Sequence, residues 1–202
     1  LDVIYGAAGE SLEDWRTTID AVVALDPPHV SAYGLTVEAG TPLADDPSRH
    51  PDDDDQADKY ELVDDLLAGA GLANYEISNW ARPGHECEHN MIYWRQQDYR
   101  GFGCAAHSHR SGRRWWNVRT PDRYIGLVAA GESTESAGES LDAATREFER
   151  FELMLRLRDG VPVSALDGDE LPGLVERDGD RWVLTRSGRL MQNEIATRLK
   201  VS

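Results

Sequence analysis

The sequence predicts an α/β fold followed by a small winged-helix-like module. First, the opening 37 residues contain three elements in succession: the strand-like LDVIYG (1–6), a helical pattern, and the strand-like PPHVSAYGLTV (27–37). Strand, helix and strand over that length are typical of a parallel βαβ unit. Second, residues 141–202 differ from the rest, because they open on a strongly amphipathic helix and close on a hairpin and a final helix.

The first elements have clear boundaries. LDVIYG is a short apolar run that ends at Gly6, which predicts a buried strand. Ser11, with Asp14 three residues later, predicts a capping box at the start of a helix. The buried face of this helix is expected to carry Trp15, Ile19, Val22 and Val23. A Pro-Pro pair ends the helix before the second strand.

The next segment is strongly acidic. ADDPSRHPDDDDQAD (44–58) predicts a solvated loop that leads into a helix over residues 56–71. Its acids resemble a calcium loop in composition only, since the expected Gly and the closing Glu are missing. LANYEIS (72–78) predicts a third strand that extends the sheet, with Tyr75 and Ile77 on one face and Glu76 on the other.

Residues 79–117 mix aromatic side chains with glycine and histidine. RGFGCAAHSHRSGRRWWN (100–117) predicts irregular strands, with close backbone approach at Gly101 and Gly103. Thr120 followed by Pro121 predicts a helix start, and that helix should end near Gly131. ESTESAGES (132–140) is expected to form a loop.

The last third begins with a helix over residues 141–160 that Gly160 stops. Its apolar stripe includes Phe148, Phe151, Leu155 and Leu157. Residues 171–200 predict a helix end, a hairpin turn at Asp-Gly-Asp, a strand and a final helix. Helices followed by a small hairpin resemble a winged-helix module.

Composition limits the function classes. With 37 acidic and 21 basic residues, the net charge is −16. Such a surface repels phosphate backbones, so we expect no nucleic-acid partner and a structural or docking role for the winged-helix-like part. No apolar run approaches the roughly 18 residues of a transmembrane segment. The absence of a signal peptide predicts a cytoplasmic location, and the opening on Leu1 instead of methionine indicates a fragment.

Three coordinating side chains alternate in HECEHN (85–90), namely His85, Cys87 and His89. In an extended segment they would point to one side. A zinc site would need a fourth ligand, which could come only from Cys104, His107 or His109. A zinc site, a site for heme or another cofactor, and a plain loop all remain open.

Two further positions are also ambiguous from the residues alone. In RGFGCAAHSH (100–109), small residues with alternating His107 and His109 fit either a backbone that approaches a ligand or a tight strand packed on its neighbour. Asp2, on the first strand, fits either a carboxylate that holds ribose hydroxyls or a surface acid.

Four segments together resemble a known family: LDVIYGAAGESLEDW, PPHVSAYGLTVEAGTPLA, YEISNWARPGHECEHNMIYW and YRGFGCAAHSH. In this order and spacing they are similar to the oxygen-independent coproporphyrinogen III oxidase family of radical S-adenosylmethionine (SAM) proteins. HNMIY (89–93) resembles the H-N-x-x-Y motif of its HemW-type heme chaperone branch. The resemblance covers nearly the whole chain.

This resemblance implies an architecture and a set of site residues. The fold would be the C-terminal half of a partial (β/α)6 barrel over residues 1–80, a connecting region with the H-N-x-x-Y motif over 81–135, and the winged-helix-like domain over 136–202. His89 would be linked to heme and ligate its iron, with Asn90 and Tyr93 as companions. Asp2 would contact the ribose of SAM, and Thr36 would lie near its adenine.

The resemblance also implies cofactors and partners. The full-length family uses SAM and a [4Fe–4S] cluster held by a C-x-x-x-C-x-x-C loop, but Cys87 and Cys104 are the only cysteines here and cannot form that loop. The implied function is that of a heme chaperone, which delivers heme to respiratory acceptor proteins and could assemble as a homodimer. The alternatives are an oxidase that converts coproporphyrinogen III to protoporphyrinogen IX, and an inactive truncated fragment.

Overall fold

A computed structural model describes residues 1–201 of the chain. These residues divide into two compact units. Unit 1 comprises Leu1–Cys87, Gly173–Glu176 and Leu184–Gln192, and unit 2 comprises Glu88–Pro172, Arg177–Val183 and the residues from Asn193 onward.

The strands and helices of the described residues have the following bounds. The strands are β1 (Asp2–Tyr5), β2 (His29–Gly34), β3 (Ala73–Glu76), β4 (Asn79–Ala81), β5 (His107–Arg110), β6 (Arg113–Asn117), β7 (Glu135–Ser140), β8 (Val161–Pro162), β9 (Val175–Asp178) and β10 (Arg181–Leu184). The helices are α1 (Leu12–Ala24), α2 (Asp53–Gly69), α3 (Glu88–Trp94), α4 (Pro121–Ala130), α5 (Ala143–Leu155), α6 (Arg186–Leu190) and α7 (Gln192–Ala196). The predicted mixture of helices and sheets is confirmed.

Unit 1 is built on a four-stranded sheet with the order β1-β2-β4-β3. β1 and β2 are parallel, with Asp2 opposite Ser31 and Tyr5 opposite Gly34. The predicted βαβ unit is therefore present, and the predicted capping box of Ser11 and Asp14 starts its helix α1. The core of this unit includes the fully buried side chains Trp15, Ile19, Val30, Val63, Leu67 and Trp80.

Two predictions about this sheet were wrong. β1 is not a buried strand, because it lies at the sheet edge and Ile4 is 62% exposed. The third strand extends the sheet as predicted, through β4, which pairs antiparallel with both β2 and β3. It ends at Glu76, however, so Ile77 does not share a strand face with Tyr75. Glu76 is buried because its carboxylate accepts hydrogen bonds from the backbone of Ser78 and the amide of Asn79, and Ile77 lies in the turn.

The acidic loop is also shorter than predicted, because α2 begins at Asp53. The Asp52 side chain accepts a hydrogen bond from the Asp55 backbone N–H at 3.0 Å. Three further acids occupy the first helical turn, where the helix dipole favours negative charge. The acidic run therefore starts the helix.

Unit 2 contains a three-stranded antiparallel sheet with the order β5-β6-β7. The polar segment at 132–140 was predicted to be a loop, but it contains β7. Ion pairs to β6 hold this strand, with Glu135 on Arg113 and Glu139 on Arg114. At Gly101 the predicted close approach is present, since a Cβ there would lie 2.1 Å from the His107 carbonyl oxygen, whereas Gly103 has open space instead.

The helix predictions at α4 and α5 are confirmed. Thr120 precedes α4, and Gly131 ends it in the left-handed conformation. α5 ends at Leu155, earlier than Gly160, and Leu157 is buried just beyond the helix. The predicted helix end within 171–178 was wrong, because this segment forms β9 in a sheet with the order β8-β10-β9. The final helix is split into α6 and α7. No helix within residues 1–201 is long and apolar enough to cross a membrane.

Candidate functional site

The H-N-x-x-Y segment lies on α3, which begins at Glu88. The preceding residues 85–87 are irregular, so His85, Cys87 and His89 do not form the extended alternation considered from the sequence. Because Tyr93 follows His89 by four residues, the helix places both side chains on one face. Asn90 is half-buried on the same helix.

His89 is exposed and hydrogen-bonded through one ring nitrogen. Its Nε2 lies 2.9 Å from the Tyr93 hydroxyl. The two rings meet edge to face, with 4.9 Å between their centroids and 85° between their planes. The Nδ1 atom makes no hydrogen bond to any residue that the structure describes. His89 therefore offers an accessible imidazole whose ring is held in one orientation.

A series of aromatic rings in contact leads from His89 into unit 2. Tyr93 packs edge to face on Tyr99 at 4.7 Å between centroids, and Tyr99 lies 6.1 Å from the His109 ring. Burial, followed by the neighbouring Tyr93, raises the pKa of Tyr99, so this phenol stays protonated. The rings of Tyr93, Tyr99 and His109 line a cavity of about 320 Å³. The other lining residues are Gln96, Arg114, Leu141, Glu149, Glu152 and Leu153.

His109 is a structural histidine. It is 6% exposed, its Nδ1 lies 3.0 Å from the Gln97 carbonyl oxygen, and its Nε2 lies 3.2 Å from the Gly112 backbone nitrogen. The carbonyl can only accept and the backbone N–H can only donate, so the ring is neutral with its proton on Nδ1. Both nitrogens are therefore engaged, and His109 cannot ligate a metal in this geometry.

The tight-strand interpretation of residues 100–109 agrees with this geometry. His107 is exposed and stacks on Trp116, with 5.4 Å between centroids and 27° between planes. Gly101 donates its backbone N–H to the Ser108 hydroxyl at 2.9 Å. Glycine is needed at 101 because β5 packs directly against it.

The histidines and cysteines of residues 85–109 do not form a zinc site in the described part of the chain. Within residues 1–201, no group of three or more His, Cys, Asp or Glu side chains is arranged to hold a metal ion. His85 is exposed, and the backbone N–H of Cys87 donates to the Tyr75 hydroxyl at 3.1 Å. Both cysteines have free thiols.

The same Tyr75 hydroxyl lies 2.9 Å from His29 Nε2, in unit 1. Burial lowers the pKa of His29, and the nearby Asp2 carboxylate opposes this effect. Burial also raises the pKa of Tyr75 to about 12, so its hydroxyl keeps its proton. That oxygen already accepts a hydrogen bond from the Cys87 backbone N–H. The Tyr75 hydroxyl can therefore donate a hydrogen bond to Nε2 of a neutral His29.

We expect the stability of unit 1 to depend on the protonation of His29. An unfolded chain binds this proton near the ordinary pKa of about 6.5, whereas the folded chain binds it only at lower pH. The unfolded state therefore holds more protons in this window, and the free energy of unfolding falls as pH drops below about 6.5. Urea denaturation at a series of pH values should show a smaller fall for His29→Gln than for His50→Gln. Equal pH dependence in the two variants would contradict this role.

The residues expected near SAM lie at opposite ends of the parallel strands. Asp2 is exposed at the amino end of β1, and Thr36 is exposed two residues beyond the carboxyl end of β2. In open α/β sheets, ligands bind at the carboxyl ends of the strands. Thr36 therefore has the position that this rule favours, and Asp2 does not.

Sequence reasoning missed a buried cation at that carboxyl end. The Lys59 side chain is fully buried, and its Nζ lies 2.6 Å from the Asp55 carboxylate and 2.7 Å from the Glu10 carbonyl oxygen. The Glu10 carboxylate lies 3.4 Å from the same ammonium and accepts the Gly6 backbone N–H at 2.8 Å. The available signal was the position of Lys59, one of two lysines in the chain, four residues after an aspartate.

Comparison with known proteins gives consistent relatives. The chain is 42% identical to the heme chaperone HemW of Mycobacterium tuberculosis (strain H37Rv), over 98% of this chain and 54% of that protein. It is 33% identical to the heme chaperone HemW of Escherichia coli (strain K12), over 96% and 56%, and 31% identical to that of Bacillus subtilis (strain 168), over 96% and 57%. The chain thus spans about half the length of the curated relatives that it matches. No protein-family model matches it.

A solved structure supports the fold. Coproporphyrinogen III oxidase (HemN) from Escherichia coli, described as a radical SAM enzyme, matches with a TM-score of 0.76 at 18% identity. The match covers 97% of this chain and 53% of that chain. At this identity the likeness establishes a shared fold and nothing about activity.

Proposed function

The chain belongs to the HemW heme chaperone family, and on that premise we propose that it is the C-terminal part of a chaperone that binds heme at His89. The observation that carries this proposal is the accessible imidazole of His89, with Nε2 on Tyr93 and Nδ1 unengaged. Histidine is a common axial ligand of heme iron. By contrast, both ring nitrogens of His109 are committed to the backbone.

The surroundings of His89 suit a planar apolar cargo. Tyr93 packs on the imidazole and Tyr99 packs on Tyr93, and aromatic contacts of this kind stabilise a flat ring beyond the area they bury. The Tyr93 hydroxyl fixes the orientation of the ligating ring, in the way that outer hydrogen bonds orient metal-ligating histidines. Asn90 is the third residue that we assign to this site.

In this proposal, the full-length proteins of the family bind the [4Fe–4S] cluster and SAM. Cys87 and Cys104 do not fit a [4Fe–4S] cluster, because three thiolates in a C-x-x-x-C-x-x-C loop are required and this chain has two cysteines. For SAM we assign Thr36 from its position beyond the carboxyl end of β2, and Asp2 from the family resemblance alone. Titration of the full-length protein with SAM tests both residues, and unchanged affinity in Asp2→Asn and Thr36→Val would remove them from the site.

From the family we also assign the domain boundaries, the cellular location, the heme acceptors and the oligomeric state. Residues 1–80 would be the last strands and helices of a partial (β/α)6 barrel, 81–135 the connecting region and 136–202 a winged-helix-like domain. Limited proteolysis within the irregular residues 82–87 and 132–134, next to β4 and β7, would support these boundaries, and cleavage confined to other positions would contradict them. We place the protein in the cytoplasm, with respiratory heme proteins as acceptors and a homodimer as its assembly.

The functional test separates a chaperone from an oxidase. We expect the full-length protein to take up heme stoichiometrically, which an absorption titration of the Soret band measures. We expect it to leave coproporphyrinogen III unchanged under anaerobic conditions with SAM and a reductant, as product analysis would show. Conversion to protoporphyrinogen IX without heme uptake would reverse the two assignments. Failure of the isolated 202 residues to unfold cooperatively would favour an inactive fragment.

A further inference from the structure

A second cavity in unit 2 collects positive charge in an acidic protein. Its volume is about 800 Å³, and we call it the arginine groove after Arg100, Arg110 and Arg113, which line it with Phe102, Trp115 and Val128. Arg113 pairs with Glu135. Arg100 and Arg110 form no ion pair with any residue that the structure describes, although the chain carries a net charge of −16.

The arginines are held together at a cost to stability. Arg110 lies directly opposite Arg113 where β5 turns into β6. Like charges at directly opposed positions destabilise a strand pair. The tight turn between them uses Ser111 and Gly112, both with positive φ. Glu135 offsets part of this repulsion through its ion pair with Arg113, and an anion in the groove would offset the rest.

Aromatic and apolar surface surrounds the same charges. The Arg113 and Arg100 guanidinium carbons lie 5.1 Å and 5.7 Å from the Trp115 ring centroid. Phe102 is 82% exposed and Val128 is 55% exposed. Both side chains line the same groove, so exposed apolar surface adjoins the guanidinium groups. The groove therefore combines a flat apolar wall with guanidinium groups at its edge.

We propose that the arginine groove binds the carboxylates of a tetrapyrrole and so forms a second recognition site for the cargo, independent of iron. Guanidinium groups match carboxylates in a planar, paired geometry, and the ring system would cover Phe102 and Val128. The volume lies within the range of small-molecule sites. Glu132 and Glu135 also line the groove, so the unpaired Arg100 and Arg110 supply the attraction. This inference rests on the proposed heme-handling function.

The experiment uses protoporphyrin IX without iron, so that ligation by His89 does not contribute. Porphyrin fluorescence titrates binding to the full-length protein, to Arg100→Gln/Arg110→Gln, and to the control Arg16→Gln/Arg49→Gln, which removes the same charge from exposed sites in unit 1. We expect roughly tenfold weaker binding to the groove variant and no change in the control, because two exposed guanidinium–carboxylate pairs are lost. The dimethyl ester, which lacks the carboxylates, should bind weakly to all three proteins.

Two outcomes would overturn the assignment: equal affinity of the groove variant and the control, or equal affinity of the dicarboxylate and its ester. A His89→Ala variant separates this inference from the proposed function. If His89→Ala leaves the Soret band of bound heme unchanged while the groove variant weakens porphyrin binding, the groove stands and the His89 assignment falls. The reverse pattern removes the groove and keeps His89.

Discussion

Replacing His89 with alanine is expected to lower the heme affinity of the full-length protein by roughly 100-fold, because the iron loses its protein ligand. His89 is exposed, and its hydrogen bond and its ring contact are both with Tyr93, so the substitution should leave the fold intact. The measurement is a heme titration followed by the Soret band, with circular dichroism to verify the fold.

Two variants serve as controls for this substitution. His50→Ala removes another exposed histidine, whose Nε2 lies 3.0 Å from the Leu43 carbonyl oxygen, and should bind heme normally. Tyr93→Phe keeps the ring but removes the hydroxyl on His89 Nε2. Its affinity should change by less than about fivefold, since an exposed neutral hydrogen bond contributes about 1 kcal/mol. A heme spectrum and affinity of His89→Ala equal to those of His50→Ala would disprove iron ligation by His89.

The second large effect is expected at Gly188, in α6. An added Cβ would lie 1.8 Å from the Leu174 carbonyl oxygen, so the backbone itself would have to move. That carbonyl also accepts the Thr185 backbone N–H at 3.0 Å, and Thr185 caps α6. We expect Gly188→Ala to lower the free energy of unfolding by about 3 kcal/mol, the upper part of the range for overpacked sites.

Gly126 provides the matched control because it also lies inside a helix, α4, but has nothing within 4 Å of an added Cβ. Alanine there should raise the free energy of unfolding by up to about 1 kcal/mol, as helix propensity dictates. Chemical denaturation of both variants gives the comparison. If Gly188→Ala is as stable as Gly126→Ala, the close contact between α6 and the Leu174 carbonyl does not exist.

The sequence predicts where the candidate site lies but not its geometry. HNMIY identified His89 and Tyr93 as a pair, and the helix then brought their side chains into contact. The orientation of His85 and Cys87 was wrong, since it assumed an extended segment where the chain is irregular. Neither the arginine groove nor buried Lys59 could be found, because each depends on side chains that come together only in three dimensions.

Local chemistry by itself determined the capped helices of this protein. Ser11 with Asp14 starts α1, and Thr120 with Pro121 and Gly131 bounds α4, because each signal acts within a few residues. Only the tertiary structure decided β7, β4 and β9. The polar segment that contains β7 has no strand pattern and becomes a strand because β6 supplies hydrogen bonds and opposite charges. Strand pairing is a contact between distant residues, so its energy is absent from any local stretch of sequence.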